Sequence, residues 1–89
     1  MTAQVLRIVN EKGLHARASA KFVEVVEAHE AVAEVTKDGM TVSGDSIMGL
    51  LMLAASRGTS IEVRTSGTQA GDLARALEAL VANRFGEDR

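Results

Sequence analysis

Residues 32–43 read Val32-Ala33-Glu34-Val35-Thr36-Lys37-Asp38-Gly39-Met40-Thr41-Val42-Ser43. Val32 to Lys37 alternates apolar and polar side chains, the period of a strand, and Met40 to Ser43 continues as its return strand. Asp38-Gly39 is a strong two-residue turn signal between them, so the stretch is a β-hairpin. Downstream, Ile47 to Ala54 is apolar at Ile47, Leu50, Leu51 and Ala54, the spacing of a short helix that Gly58 then interrupts. Ser60 to Ser66 alternates again, with Ile61 and Val63 on one face. From Gln69 to Arg84 the set Leu73, Leu77, Leu80, Val81 and Phe85 follows helical spacing, with Arg75, Glu78 and Arg84 elsewhere around the wheel. Upstream, Val5 to Val9 is a short apolar run and Asn10 to Gly13 is turn-forming. Ala16 to Ala28 then carries Ala18, Phe22, Val25 and Val26 on a helical repeat. The order strand, helix, strand, strand, helix, strand, helix predicts an α+β layer, with helices over one face of a mostly antiparallel sheet.

Composition narrows the function classes. The chain has 89 residues and shows no repeat, low-complexity tract or linker, which predicts a single domain over 1–89. Cysteine is absent, which removes disulfides, thiol catalysis and any cysteine-based metal site. The formal charge is -2, only Phe22 and Phe85 are aromatic, and no basic cluster occurs, so nucleic acid is not the expected partner. Met1 to Arg7 has no basic stretch followed by an apolar segment, and no apolar run approaches the roughly 20 residues a bilayer requires. The expectation is a cytoplasmic protein without membrane insertion that works through protein partners.

The chemistry concentrates in Gly13-Leu14-His15-Ala16-Arg17. The pattern sets an imidazole and a guanidinium two residues apart where a strand gives way to a helix. The first N–H groups of a helix have no partner within it and the macrodipole is positive there, so an anion carried on His15 would meet ready donors, including the backbone N–H groups of Ala16 and Arg17. Arg17 adds a fork of charged donors. A neutral imidazole is nucleophilic and needs no activating base to accept a phosphoryl group. An isolated His-x-Arg is more often a helix start beside a solvated charge, and it is the surrounding sequence that outweighs this here.

The stretch from Asn10 through Phe22 resembles the active-site segment of the HPr family, the histidine phosphocarriers of the phosphoenolpyruvate-dependent phosphotransferase system. Ser46-Ile47-Met48-Gly49-Leu50-Leu51-Met52-Leu53 is similar to the family's regulatory-serine segment, at matching spacing, and the resemblance covers essentially the whole chain. It implies an open-faced sandwich of four antiparallel strands covered on one face by three helices. It implies that His15 is phosphorylated on Nδ1 by phospho-enzyme I and passes the group to a IIA-type protein, with Arg17 steadying the phosphoryl oxygens. The activity would be a relay rather than turnover of a small substrate, with no cofactor and no metal. The family's partner surface maps onto Ala20, Ile47, Met48, Leu51 and Met52, of which Met48 is the clearest candidate for exposure. The family's fold also implies that Ser46 and His15 share a surface; a monomer is the expected state, with the sequence leaving oligomerisation open.

Ser46 has two roles to separate. Asp45-Ser46 before an apolar helical run is an ordinary N-cap signal. In Gram-positive relatives the matching serine is phosphorylated by a dedicated kinase, which implies a serine kinase or phosphatase as a further partner. A regulatory binding module controlled through Ser46 is therefore the alternative function. Two departures from the family are visible: Ala18 stands where many relatives have proline, and Glu24 and Glu27 stand where several carry basic or polar residues. His29 reads as a favourable charge at a helix end, Glu11-Lys12 as a solvated pair, and Gly13 as supplying a backbone conformation or a plain turn. The destination of the phosphoryl group, sugar-uptake permeases or the nitrogen-related branch, is left open by the sequence.

Overall fold

In the computed structural model, which describes residues 2–89, the hairpin forms where the alternation places it: β2 spans Val32–Lys37 and β3 spans Met40–Ser43. Both turn residues take left-handed backbone, Asp38 at φ 51° and Gly39 at φ 83°, as a tight hairpin turn requires. The first strand, β1, spans Thr2–Arg7, helix α1 Ala16–Glu27, helix α2 Ile47–Met52, strand β4 Ser60–Ser66 and helix α3 Ala70–Ala82. The four strands form one antiparallel sheet in the order β1-β4-β2-β3.

Register carries the alternation across the sheet. Val35 pairs with both Val42 and Val63, and Leu6 pairs with Ile61, so the apolar positions share one face. That face meets Ala18, Phe22, Val23 and Val26 of α1 and Leu73, Leu77 and Val81 of α3 in one buried cluster. Glu34, Glu62 and Arg64 stand on the opposite, uncovered face. The result is the open-faced sandwich with helices on one side.

Three boundaries differ from the sequence expectation, each for a local reason. The Val5–Val9 run is not uniformly inward: Leu6 and Ile8 are buried while Val5 and Val9 face solvent, and the strand itself ends at Arg7. Helix α2 stops at Met52 because Ala54 adopts φ 51°, which a right-handed helix cannot continue. Helix α3 stops at Ala82, so Phe85 does not belong to its helical stripe. Arg84, Phe85 and Gly86 form a 3₁₀ turn in which all three have positive φ, at 56°, 55° and 80°. Left-handed backbone is costly for arginine and phenylalanine, and complete burial of the Phe85 ring offsets it. The turn reverses the chain and brings the residues after it back toward the β1–α1 loop.

Candidate active site at the start of helix α1

Loop 8–15 is pinned to the segment after α2. Ile8 N–H donates to Thr59 O at 2.8 Å, Gly58 N–H to Ile8 O at 2.8 Å, and Leu14 N–H to Ala55 O at 2.9 Å. Gly13 lies at φ 66°, and a Cβ there would stand 2.5 Å from Ala55 O and 2.9 Å from Ser56 Cα. Both a left-handed conformation and a close backbone approach therefore require glycine, which goes beyond a plain turn residue. Asn10 is fully buried and closes the loop by donating from Nδ2 to Gly13 O at 2.8 Å.

His15 emerges from this loop as the N-cap of α1. Its backbone is extended, at φ -79° and ψ -177°, and its carbonyl accepts the first helical bond from Ser19 N–H at 2.8 Å. Nδ1 of the ring accepts from Arg17 N–H at 3.3 Å, so this nitrogen faces the first turn of the helix. The other nitrogen, Nε2, is bonded to the carboxylate of Glu87. The ring is therefore half-buried, with its side chain 24% exposed.

Glu87 divides its two oxygens between the ring and the loop: Oε2 meets His15 Nε2, and Oε1 accepts from Asn10 Nδ2 at 3.1 Å. Burial alone would raise its carboxyl, yet the hydrogen bonds from His15 and Asn10, with the electrostatic attraction of His15 and Lys12, hold it below the ordinary carboxylate range. Neither Glu87 nor the role of Asn10 was identified from the sequence. Seventy-two positions separate His15 from Glu87, and no periodicity joins them.

The remaining candidates fall into distinct places. Arg17 is exposed and lines a cleft of about 450 Å³ of mixed charge, with Lys12, Lys21 and Arg89 facing Glu11, Glu87 and Asp88; His15 does not line it, and Glu87 is the residue common to the cleft and the ring. Lys12 also borders a shallower depression with His15, Leu14, Ala54, Ala55 and Ser56. It is thus the segment after α2 that flanks His15. Ser46 lies at the other end of that helix, where its Oγ accepts from Gly49 N–H at 3.0 Å as an N-cap. Ile47, Met48 and Met52 expose 40%, 70% and 63% of their surface, Leu51 and Ala20 are half-buried, and Leu50 points into the core. Ile47, which helical spacing placed with the core, is instead outside it. His29 Nδ1 donates to Val25 O at 2.7 Å near the end of α1 and stays remote from this cluster. Among the described residues no three metal-ligating side chains converge.

Chemically, the cluster presents one imidazole nitrogen to a helix N-terminus, with the second nitrogen held by a carboxylate and the exposed Arg17 two residues on. Comparison with known proteins points the same way. The family described as "PTS HPr component phosphorylation site" matches residues 2–83. The chain is 46% identical over 87 residues to the phosphocarrier protein HPr of Neisseria meningitidis serogroup A, covering 98% of each. Among solved structures it is similar to HPr-C-His from Thermoanaerobacter tengcongensis, with TM-score 0.95 and 32% identity over 100% of both chains. It is also similar to an HPr dimer from the same organism, with TM-score 0.77 and 33% identity over 98% of this chain and 100% of that one.

Proposed function

The chain belongs to the HPr family of phosphocarriers of the phosphotransferase system, and from that footing we propose that His15 is its phosphoryl-carrying residue. The observation that carries this is the placement of Nδ1 at the N-terminus of α1, where Arg17 N–H already donates to it. In the proposed cycle the Nδ1 lone pair attacks the phosphorus held by phospho-enzyme I. The N–P bond forms as the bond to the donor breaks, its electron pair leaving with the donor group. The phosphoryl oxygens then displace the Nδ1 contact and are met by the N–H groups of Ala16 and Arg17, with the Arg17 guanidinium free to swing in from the cleft. Transfer onward to a IIA-type protein runs the same displacement in the other direction.

Partner docking uses the apolar surface of Met48, Met52 and Ile47, with Leu51 and Ala20 at its half-buried margin. Methionine suits a face that must fit enzyme I and IIA proteins in turn. We place the domain boundary at the whole chain, 1–89, because elements from both ends contribute to one buried cluster. Regulation through Ser46 by a serine kinase is a further part of the proposal: a phosphate there would add up to two negative charges beside Ile47 and Met48, and so weaken docking to acidic partners. A monomer in the cytoplasm is the working state; among the described residues no helix is long and apolar enough to cross a membrane. The HPr dimer among the similar structures makes size-exclusion chromatography with light scattering the check on that state.

The test is incubation with phosphoenolpyruvate and purified enzyme I, followed by intact mass and acid-stability measurements on the wild type and His15→Ala. One acid-labile phosphate that requires His15, and that chases onto a IIA-type protein, is the expected result. Labelling of the His15→Ala variant to the same extent would overturn the assignment, and IIA proteins of the sugar-uptake and nitrogen-related branches then report the destination.

A further inference from the structure

We propose that Glu87 is a positioning residue for the phosphoryl transfer: its carboxylate holds the proton of His15 on Nε2 and so makes Nδ1 the nitrogen that receives the phosphoryl group. This deepens the carrier role given to His15 and rests on it. Glu87 lies outside residues 2–83, the span that matches the family description, on the turn that follows α3.

Four observations converge on the side chain. The reversal at Arg84, Phe85 and Gly86 aims it at the loop rather than into solvent, and the buried Phe85 ring anchors that reversal. Lys21 of α1 donates from Nζ to Phe85 O at 2.7 Å, and Glu87 N–H donates to Arg84 O at 2.9 Å, so the backbone before the carboxylate is tied at two points. Asn10 Nδ2 donates both to Gly13 O and to Glu87 Oε1, which references the carboxylate to the loop that carries His15. Asn10 Oδ1, in turn, is buried with no hydrogen-bond partner among the described residues. Rotating the amide would set that oxygen against the two acceptors and lose both bonds, so an unsatisfied buried oxygen is tolerated to keep the carboxylate braced.

The chemistry follows from what a carboxylate can do. An ionised carboxylate only accepts, so Nε2 must carry hydrogen. In the neutral ring Nδ1 then holds the lone pair, which agrees with its acceptance of the Arg17 N–H. Without Glu87 only the 3.3 Å bond from Arg17 N–H would hold the ring in that tautomer, and the imidazole would exchange tautomers and rotate more freely. Once the N–P bond forms at Nδ1, the ring carries N–P and N–H together and is cationic, and the Glu87 charge stands against it. When the N–P bond breaks toward an acceptor, its electron pair returns to Nδ1. That return is easier because Nε2 keeps its proton. The same logic, a carboxylate fixing the tautomer of a histidine that acts through its other nitrogen, underlies catalytic triads.

The test separates this from the carrier role by using a donor that needs no enzyme I. The ¹⁵N NMR signature of the His15 ring is read in unphosphorylated wild type, Glu87→Ala and Glu87→Gln, with amide spectra confirming the fold. Each protein is then treated with potassium phosphoramidate, from which the phosphoryl group moves to the ring nitrogen as ammonia leaves, and ³¹P NMR reports which nitrogen holds it. Wild type is expected to show the Nε2–H tautomer and phosphate on Nδ1. Glu87→Ala is expected to show mixed tautomers and a rate to Nδ1 lower by about tenfold, the scale of losing one charge-assisted hydrogen bond. Glu87→Gln keeps an accepting oxygen without the charge, and should restore the tautomer while recovering only part of the rate. An Nδ1–H tautomer in wild type, or identical tautomers and rates in all three proteins, would overturn the proposal. Failure of labelling by enzyme I alone would count against the carrier role and leave these readouts standing.

Discussion

Replacing Gly13 with alanine tests whether the His15 loop depends on close backbone contact with the segment after α2. Two costs add at this site. A non-glycine residue at φ 66° bears a left-handed penalty of about 1–2 kcal/mol. The new Cβ would also stand 2.5 Å from Ala55 O and 2.9 Å from Ser56 Cα, both backbone atoms that cannot swing aside like a side chain. Relieving that overlap means pushing Ala55 away and stretching its 2.9 Å bond from Leu14 N–H, worth about 1 kcal/mol. The expected loss is about 2–4 kcal/mol, within the range of other overpacked sites. Gly39 supplies the control: its φ of 83° carries the same conformational penalty, but nothing lies within 4 Å of a Cβ there. Gly39→Ala should therefore lose only about 1–2 kcal/mol. Urea denaturation of both variants measures the difference, and the phosphorylation rate should fall in Gly13→Ala alone, since only that change displaces His15. If Gly13→Ala were no more destabilising than Gly39→Ala, the close approach would contribute nothing and the account of the loop would be wrong.

Other expectations follow from the same contacts. Phe85→Ala should cost about 3–5 kcal/mol by thermal or urea unfolding, because the ring is fully buried, and it should also slow phosphorylation by freeing the turn that carries Glu87. Ser46→Ala removes the oxygen that caps Gly49 N–H and should lose about 1 kcal/mol whether or not any kinase acts on the protein; unchanged stability would deny the cap its role. Arg17→Ala should slow transfer from enzyme I while leaving labelling detectable, since the backbone donors remain; equal rates would make Arg17 a surface charge only. Glu87 titrates below its ordinary value of 4.5 in the folded chain, so its contribution to stability is complete above that pH and is lost as pH falls through the depressed value. The gap in unfolding free energy between wild type and Glu87→Gln should accordingly shrink on acidification from about pH 6 to about pH 3, and a gap constant across that range would contradict the lowered pKa.

Local periodicity made most of the architecture legible. The hairpin, β4 and α1 appear where alternation and helical repeat put them, because each of these elements buries one face and its sequence must say which. Phe85 shows where that logic fails. Helical spacing assigned it to α3, and its side chain does reach the core, but the backbone gets it there through a left-handed turn that no period encodes. Ile47 errs the other way: an apolar residue at the first position of a six-residue helix lies at the edge of the core and faces out.

The site divides along the same line. His15, Arg17 and the N–H groups of Ala16 and Arg17 are near neighbours in sequence, so a strand-to-helix junction with a glycine before it is enough to bring them together. What holds the second nitrogen of the ring is a contact between opposite ends of the chain, and it exists only after α3 has packed and the turn behind it has reversed. An acidic residue two positions past a buried phenylalanine carries no local mark of that use. Asn10 was visible as a turn residue, yet its amide serves the loop and the carboxylate at once, and only the folded geometry brings both acceptors to it. The imidazole can therefore be read from the sequence as a phosphoryl acceptor, whereas the choice between its two nitrogens depends on tertiary structure. A substitution that unseats the C-terminal turn should, on this logic, alter the chemistry of His15 without touching any residue of the motif that contains it.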